Sequence, residues 1–153
     1  MKKWWLGASI LLAISLGGLV WLGWMITRPA VVQLGDTEFT TRVARTAVER
    51  TQGLSGTSSL AAHEALLFIF PSDDYWEIWM KGMHYPIDIV WLDTHKKVIH
   101  IVRDAQPRDY PAVIYKPNQR ARYVIELAAG AVDRNRITIG SQAIFDSMKG
   151  TFE

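Results

Sequence analysis

The 153-residue sequence contains no cysteine, which excludes disulfides, zinc sites built on thiolates and a cysteine nucleophile. Its four histidines lack the close H-x-H or H-x-x-x-H spacing that is typical of metal sites, so we expect no metal ion. The sequence has no G-x-S-x-G motif and no glycine-rich phosphate loop. Serine hydrolase chemistry, nucleotide binding and a bound cofactor therefore have no support in the sequence.

An excess of positive charge is also missing from most of the chain. Three of the 17 Lys and Arg residues and none of the 15 Asp and Glu residues lie in residues 1–30, so the rest of the chain carries a net charge of −1. Because nucleic-acid phosphates require a basic surface, nucleic acid is not an expected partner. The length of this part, about 120 residues, suits one domain with one core.

What the chain does have is one long apolar run, residues 4–26, preceded by Lys2 and Lys3. About 23 residues of helix reach roughly 34 Å, which is enough to cross a bilayer core of about 30 Å. Tryptophans stand near both ends of the run, where they favour the headgroup level: Trp4, Trp5, Trp21 and Trp24. Positive charge is greater before the run than after it, which predicts that the N-terminus is cytoplasmic. We therefore predict a single-pass anchor in the cytoplasmic membrane over residues 1–29, with residues 30–153 outside.

A cleaved signal peptide is the main alternative to this anchor. It would need a shorter apolar stretch followed by a small-x-small cleavage site. The nearest such triplet, Ala13-Ile14-Ser15, lies inside the run, and cleavage there would leave the apolar residues 16–26 at the new terminus. A buried helix of a soluble protein is a third interpretation, and we favour the uncleaved anchor over both.

Periodicity and turn signals predict mostly strands in the outer domain. The predicted strand segments are residues 31–34, 38–44, 65–70, 76–80, 87–92, 98–102, 123–127 and two short pieces within 137–145. Thr46 and Glu49 form the capping box of a short helix that ends near Gly53, and residues 128–134 suit a second short helix or turn. Residues 104–122 form the longest irregular stretch. The predicted fold class is α+β, a mainly antiparallel sheet or small open barrel with one or two short helices after the transmembrane helix.

Four short segments carry a resemblance to a known family: Glu49-Arg50-x-x-Gly53-Leu54, Trp79-Met80-Lys81, Pro86-Ile87-Asp88-Ile89-Val90 and Tyr123-Val124-Ile125-Glu126. In order and spacing they resemble the DUF192 family over residues 43–145. The chain departs from the family's common residues at three positions, with Thr57 in place of Arg, Gly82 in place of Asn and Ser141 in place of an acidic residue. The resemblance implies a small, mostly β domain that is often exported or membrane-attached, and it implies no activity.

The most family-like segments also hold the candidate ligand-binding residues. In one interpretation, Arg50 and Lys81 hold an anionic group while Trp79 offers a stacking surface for a sugar or another ring. In the other, which we favour, Lys81 and Asp88 form a structural ion pair at a turn and Trp79 lies in the core. Glu126 follows in a predicted strand, and if it points inward it needs a partner, either Arg122 from a bend or Lys81 or Arg50 across the sheet.

Three function classes remain open from the sequence. The first is a membrane-tethered binding module for a small polar or cell-envelope ligand, with residues 104–122 as a lid. The second is an accessory or interaction protein without a pocket. The third, ranked last, is a hydrolase of envelope material in which Asp88 and Glu126 are the acid and base, for which their separation would be decisive. Whether the protein is an enzyme stays open at this point.

Overall fold

The computed structural model describes residues 30–146. The predicted anchor, its Trp-flanked run and the signal-peptide alternative all lie outside these residues. Among the helices of residues 30–146, none has the length and apolar character needed to cross a bilayer.

The described chain contains seven strands, two short α-helices and one 3-10 turn. The strands are β1 Ala30–Leu34, β2 Thr37–Ala44, β3 Glu64–Asp74, β4 Ile87–Leu92, β5 Val98–Ala105, β6 Ala121–Ala128 and β7 Ala143–Ile144. The helices are α1 Ala47–Gln52 and α2 Ala131–Arg134, and the 3-10 turn is Pro107–Asp109. Most predicted segments are confirmed within a few residues of their bounds. The α1 capping box forms as predicted, with Thr46 and Glu49 each satisfying the other's backbone amide.

All seven strands form one mixed sheet in the order β5-β4-β6-β3-β2-β1-β7, curved into a half-barrel. Every pairing is antiparallel except that of β2 with β3, which is parallel. A parallel neighbour requires a crossover connection, and here α1 and the loop after it make that crossover. The α+β class and the mainly antiparallel sheet are confirmed, and the parallel pair is an addition that the sequence did not indicate.

The sheet buries side chains on both faces, which is why its central strands read as continuous apolar runs. One face, which we call the α2 face, packs Val32, Leu34, Phe39, Leu67, Ile125 and Leu127 against Ala131 and Val132 of α2. The other, which we call the cavity face, packs Leu54, Leu66, Phe68, Phe70, Ile89, Trp91 and Val124 together with Ile78 and Met80. Residues 65–68 of β3 are fully buried because alternate side chains enter the two clusters.

Two predicted strand segments do not enter the sheet as strands. Residues 76–80 bury Ile78 and Met80 on the cavity face, but their backbone makes only one bridge, between Ile78 and Tyr115. Side chains of this segment therefore alternate between buried and exposed positions, but its backbone does not pair as a strand. In residues 137–145 only β7 forms, because residues 138–141 close into a tight turn in which the Thr138 amide donates to Ser141 Oγ at 2.9 Å.

Candidate functional site

A cavity of about 520 Å³ opens on the cavity face of the sheet. Its wall on one side is α1 and the residues just after it, and its wall on the other is the segment Asp74 to Trp79. Side chains of β3 and β6 form the floor. Each wall is a short or irregular element that rests on the sheet. The contacts that fix each wall to the sheet therefore also fix the position of the cavity.

The α1 wall is fixed by its cap and by one arginine. The amides of Arg45 and Thr46 donate to Glu49 Oε2 at 2.7 and 2.8 Å, and these bonds hold the pKa of the Glu49 carboxyl below its usual value. One turn on, Arg50 Nη1 donates to the carbonyls of Arg45 and Ile69, the latter on β3 at 3.2 Å. Arg50 thus joins α1 to the sheet, as an arginine's several donors allow.

An aromatic column runs from the floor of the cavity to the other wall. Phe68 and Phe70 stack with ring centroids 6.2 Å apart, and Trp76 lies 4.2 Å from Phe70 at an interplanar angle of 10°. The Trp76 carbonyl accepts a hydrogen bond of 2.9 Å from the indole of the buried Trp91, which fixes the segment that carries the column. Trp79 stands outside the column at the mouth and is 39% exposed. Aromatic rings therefore line the cavity from the sheet to the solvent.

Glu126 lies on the floor of the cavity, on β6 between Leu66 of β3 and Ile89 of β4. Glu126 is only 4% exposed, and its Oε2 atom has no hydrogen-bond partner within residues 30–146. Burial raises the pKa of Glu126 to about 8, an effect that the positive charge of Arg42 opposes only in part. Since burial disfavours the charged form, the carboxyl group is mainly neutral at neutral pH.

The rim carries opposite charges that compensate each other. Lys116 Nζ lies 3.6 Å from Glu77 Oε1, and both side chains are about half exposed. The same ammonium lies 5.7 Å from the centre of the Tyr75 ring. Such an exposed pair contributes little stability, but it keeps the mouth of the cavity without a strong charge of either sign.

Comparison with known proteins identifies the domain that holds this cavity. The family model DUF192, described as an uncharacterized ACR, matches residues 30–145. The chain belongs to the DUF192 family. Two curated relatives, each named UPF0127 protein, come from Thermococcus sibiricus (32% identical over 103 residues, 66% of this chain and 62% of the relative) and Thermococcus gammatolerans (33% over 92 residues, 59% and 56%). The match therefore spans less than two thirds of the length of either relative.

Two solved structures share the fold of this DUF192 domain. One is a Sinorhizobium meliloti 1021 protein provisionally named a transcription regulator, with a TM-score of 0.72 at 24% identity over 77% of this chain and 94% of that one. The other, from Novosphingobium aromaticivorans, is a protein of unknown function with a TM-score of 0.70 at 24% identity over 74% and 83%. At this level of identity the likeness shows the fold alone.

The DUF192 cavity brings together three of the five candidate ligand-binding residues. Arg50, Trp79 and Glu126 all line it. Lys81 is exposed and does not line it, and Asp88 is fully buried on the α2 face. The interpretation that placed Trp79 in the core is wrong, since the ring stands at the cavity mouth.

Asp88 has a structural position instead. Its two carboxylate oxygens accept hydrogen bonds from the amides of Asp104 at 3.0 Å and Val132 at 2.9 Å. These bonds join β4 to a left-handed residue of β5, Asp104 with φ of +51°, and to the start of α2. No ion pair links Lys81 to Asp88 within residues 30–146, so the expected structural pair is wrong.

The register of β4 and β6 also excludes the proposed acid and base pair. Asp88 lies opposite Leu127, and Glu126 lies opposite Ile89. Because neighbouring residues of a strand point to opposite faces, Asp88 and Glu126 face opposite sides of the sheet. They cannot flank one glycosidic bond, and the hydrolase hypothesis in that form is wrong.

Two departures from the usual DUF192 residues have structural explanations. Gly82 has φ of +69°, a left-handed conformation that glycine and asparagine adopt more readily than other residues. The replacement of Asn by Gly therefore preserves the backbone of this turn. Thr57 Oγ1 donates to the Leu54 carbonyl and lies 2.6 Å from the Tyr85 hydroxyl, so Thr57 fixes the loop after α1 and does not reach into the cavity.

Sequence reasoning missed the inner aromatic wall and the rim pair. Phe68 and Phe70 alternate along β3, but a strand buried on both faces gives no sign of which face carries a cavity. Trp76 was available as a signal, since Tyr75, Trp76 and Trp79 form a dense aromatic group just after Pro71. Lys116 lies in the irregular stretch, and its approach to Glu77 depends on the bridge between Ile78 and Tyr115.

Proposed function

We propose that this DUF192 domain is a binding module that takes a small polar ligand into the cavity above Glu126. The observation that carries the proposal is the Glu126 Oε2 atom, which is buried on the cavity floor and has no hydrogen-bond partner among the residues that the structure describes. A buried polar atom left unsatisfied costs about 1–3 kcal/mol. A ligand that forms a hydrogen bond with Glu126 recovers that free energy, and this gain favours binding in the cavity.

The size and walls of the cavity support a small-molecule ligand. A volume of about 520 Å³ falls within the roughly 300–1,000 Å³ that is usual for such sites. Five of the lining residues carry aromatic rings, which supply contact area, and polar lining residues such as Arg50 and Glu126 supply orientation. Arg50 adds further donors, since both of its hydrogen bonds given above come from Nη1 alone.

We further propose that residues 4–26 hold this module at the outer face of the cytoplasmic membrane. The length of the apolar run, its flanking tryptophans and the lysines before it support this arrangement. The test is membrane fractionation and protease digestion of intact spheroplasts that contain the chain with a C-terminal epitope. The proposal predicts a membrane-bound epitope that external protease removes. An epitope in the soluble fraction, or one protected until the membrane is lysed, would contradict it.

The ligand proposal is tested by a thermal-shift screen of polar metabolites and cell-envelope sugars against the full-length chain. We expect at least one compound to raise the Tm, and we expect Trp79→Ala to abolish that shift because the ring stands at the cavity mouth. Lys81→Ala is the matched control, since Lys81 is two residues away, exposed and outside the cavity. A screen without any shift, or a shift that Trp79→Ala leaves intact, would refute the proposal.

A further inference from the structure

The chemistry of the cavity also indicates which class of ligand it accepts, an inference that rests on the proposed function. We propose that the cavity binds one neutral saccharide ring, and that the Glu126 carboxyl group donates its proton in a hydrogen bond to a hydroxyl or amide oxygen of that sugar. Three features of the cavity support this ligand class: the charge of its lining, the surroundings of Glu126 and the shape of its aromatic walls.

The charges that line the cavity cancel. Apart from Glu126, the charged lining residues are two cations and two carboxylates: Arg50, Lys116, Asp74 and Glu77. Lys116 and Glu77 already pair with each other, and Asp74 Oδ1 accepts from the Tyr75 amide at 2.8 Å. The formal charges of these four residues sum to zero, so an ionic ligand would lose its hydration without meeting a net opposite charge, which is costly. The lining therefore favours a neutral ligand.

The surroundings of Glu126 keep its proton in place. On the β3 side its neighbour is Leu66, beyond which Arg42 of β2 occupies the same row of the sheet, and on the β4 side its neighbour is Ile89. Toward the cavity the charged groups are those of the lining named above. Arg42 alone has a distinct effect on the Glu126 carboxyl, and burial outweighs it. A neutral carboxyl group is a hydrogen-bond donor, so its complement is an oxygen acceptor.

The walls suit a ring with one apolar face and polar edges. Trp79 and Tyr75 are both exposed at the mouth, and Trp76 is held flat against Phe70 inside. A pyranose presents C–H groups on its faces and hydroxyl groups around its edge, so one ring can contact aromatic rings while its edge offers hydroxyl groups to Glu126 and Arg50, which line the same cavity. Amphipathic aromatic side chains suit such a contact between apolar and wet surfaces.

Three probes that share one ring test the ligand class: N-acetylglucosamine, which is neutral, glucosamine, which is an ammonium ion in mild acid, and glucuronate. Each is titrated into the full-length chain in detergent micelles by calorimetry at about pH 6, well below the titration of Glu126. We expect N-acetylglucosamine to bind at least about tenfold more tightly than either charged probe. Tightest binding of glucosamine or glucuronate would overturn the ligand class.

The pH dependence tests the role of Glu126. If only the protonated carboxyl binds, affinity for N-acetylglucosamine falls about tenfold between about pH 6 and pH 9, in proportion to the protonated fraction of a group that titrates near pH 8. The Glu126→Gln variant keeps a donor in the side-chain amide and loses the titration, so it should bind with little pH dependence. Affinity that rises with pH, or an unchanged profile in Glu126→Gln, would overturn the role of Glu126.

These experiments separate the two proposals. If none of the three probes binds, and the compounds from the screen that bind in a Trp79-dependent manner are not neutral saccharides, the saccharide class is wrong and the binding module stands. If no compound of any class binds, both proposals fail.

Discussion

Replacing Glu126 by glutamine should change the pH dependence of stability more than any other single substitution on the cavity face. Burial raises the pKa of this carboxyl from 4.5 to about 8 in the folded protein. Below about pH 4.5 the group is protonated in both the folded and the unfolded chain and costs nothing. As the pH rises from there, ionisation of Glu126 lowers the free energy of the unfolded chain, while the buried carboxyl group of the folded chain stays protonated. The free energy of unfolding therefore falls until about pH 8.

The magnitude follows from the size of the pKa difference. At about 1.4 kcal/mol per pH unit, the raised pKa corresponds to a loss of up to about 5 kcal/mol at and above pH 8. This is an upper limit, because water entering the cavity can solvate the ionised carboxylate. It is still large against the roughly 5–15 kcal/mol that stabilises a typical domain. Glutamine has nearly the same shape and does not ionise, so the free energy of unfolding of Glu126→Gln should not suffer this loss at high pH.

The assay is urea unfolding of the wild-type and Glu126→Gln chains, followed by near-UV circular dichroism, at several pH values between about 4.5 and 9. All other titrating groups are common to both chains, so the difference in the free energy of unfolding isolates Glu126. We expect that difference to move in favour of Glu126→Gln by several kcal/mol across this range. A difference that does not vary with pH would refute the claim that Glu126 is buried and unpaired.

Two further substitutions test the scaffold around the site. Asp88→Asn replaces a carboxylate oxygen by an amide nitrogen that cannot accept from Val132, so urea unfolding should show a loss of about 1–3 kcal/mol. The affinity for N-acetylglucosamine, measured by calorimetry, should stay the same. Weaker binding with unchanged stability would contradict this structural role. Thr46→Ala removes the cap that accepts from the Glu49 amide and should cost about 1 kcal/mol in the same unfolding assay. An effect near zero would mean that α1 does not depend on its cap.

Local signals predicted most of the elements of this fold because each depends on neighbouring residues. The capping box at Thr46 and the hairpin of β4 and β5 are set by side chains a few positions apart, and both appear where expected. The parallel pairing of β2 with β3 depends instead on how the crossover through α1 returns to the sheet. Burial of Ile78 and Met80 without a ladder likewise depends on a distant partner, Tyr115.

The candidate site shows the same division between local and distant information. The sequence placed Glu126 in a strand, where the alternation of side chains allows it to point inward. It could not indicate that Asp88 faces away from Glu126, because that depends on the register between β4 and β6. A slip of one residue would reverse the face on which Asp88 lies. Residue types therefore identified Arg50, Trp79 and Glu126 as candidates, and only the register separated them from Asp88.

The most direct test of the central claim is carboxyl-carbon NMR of the full-length chain labelled at glutamate, with the Glu126 signal assigned by its loss in Glu126→Gln. We expect a titration midpoint near pH 8 for Glu126. We also expect that midpoint to move to higher pH when N-acetylglucosamine is present at saturation, because binding the protonated form stabilises it. A midpoint in the ordinary range of about 4–5 for glutamate, or a midpoint that the sugar leaves unchanged, would contradict the account.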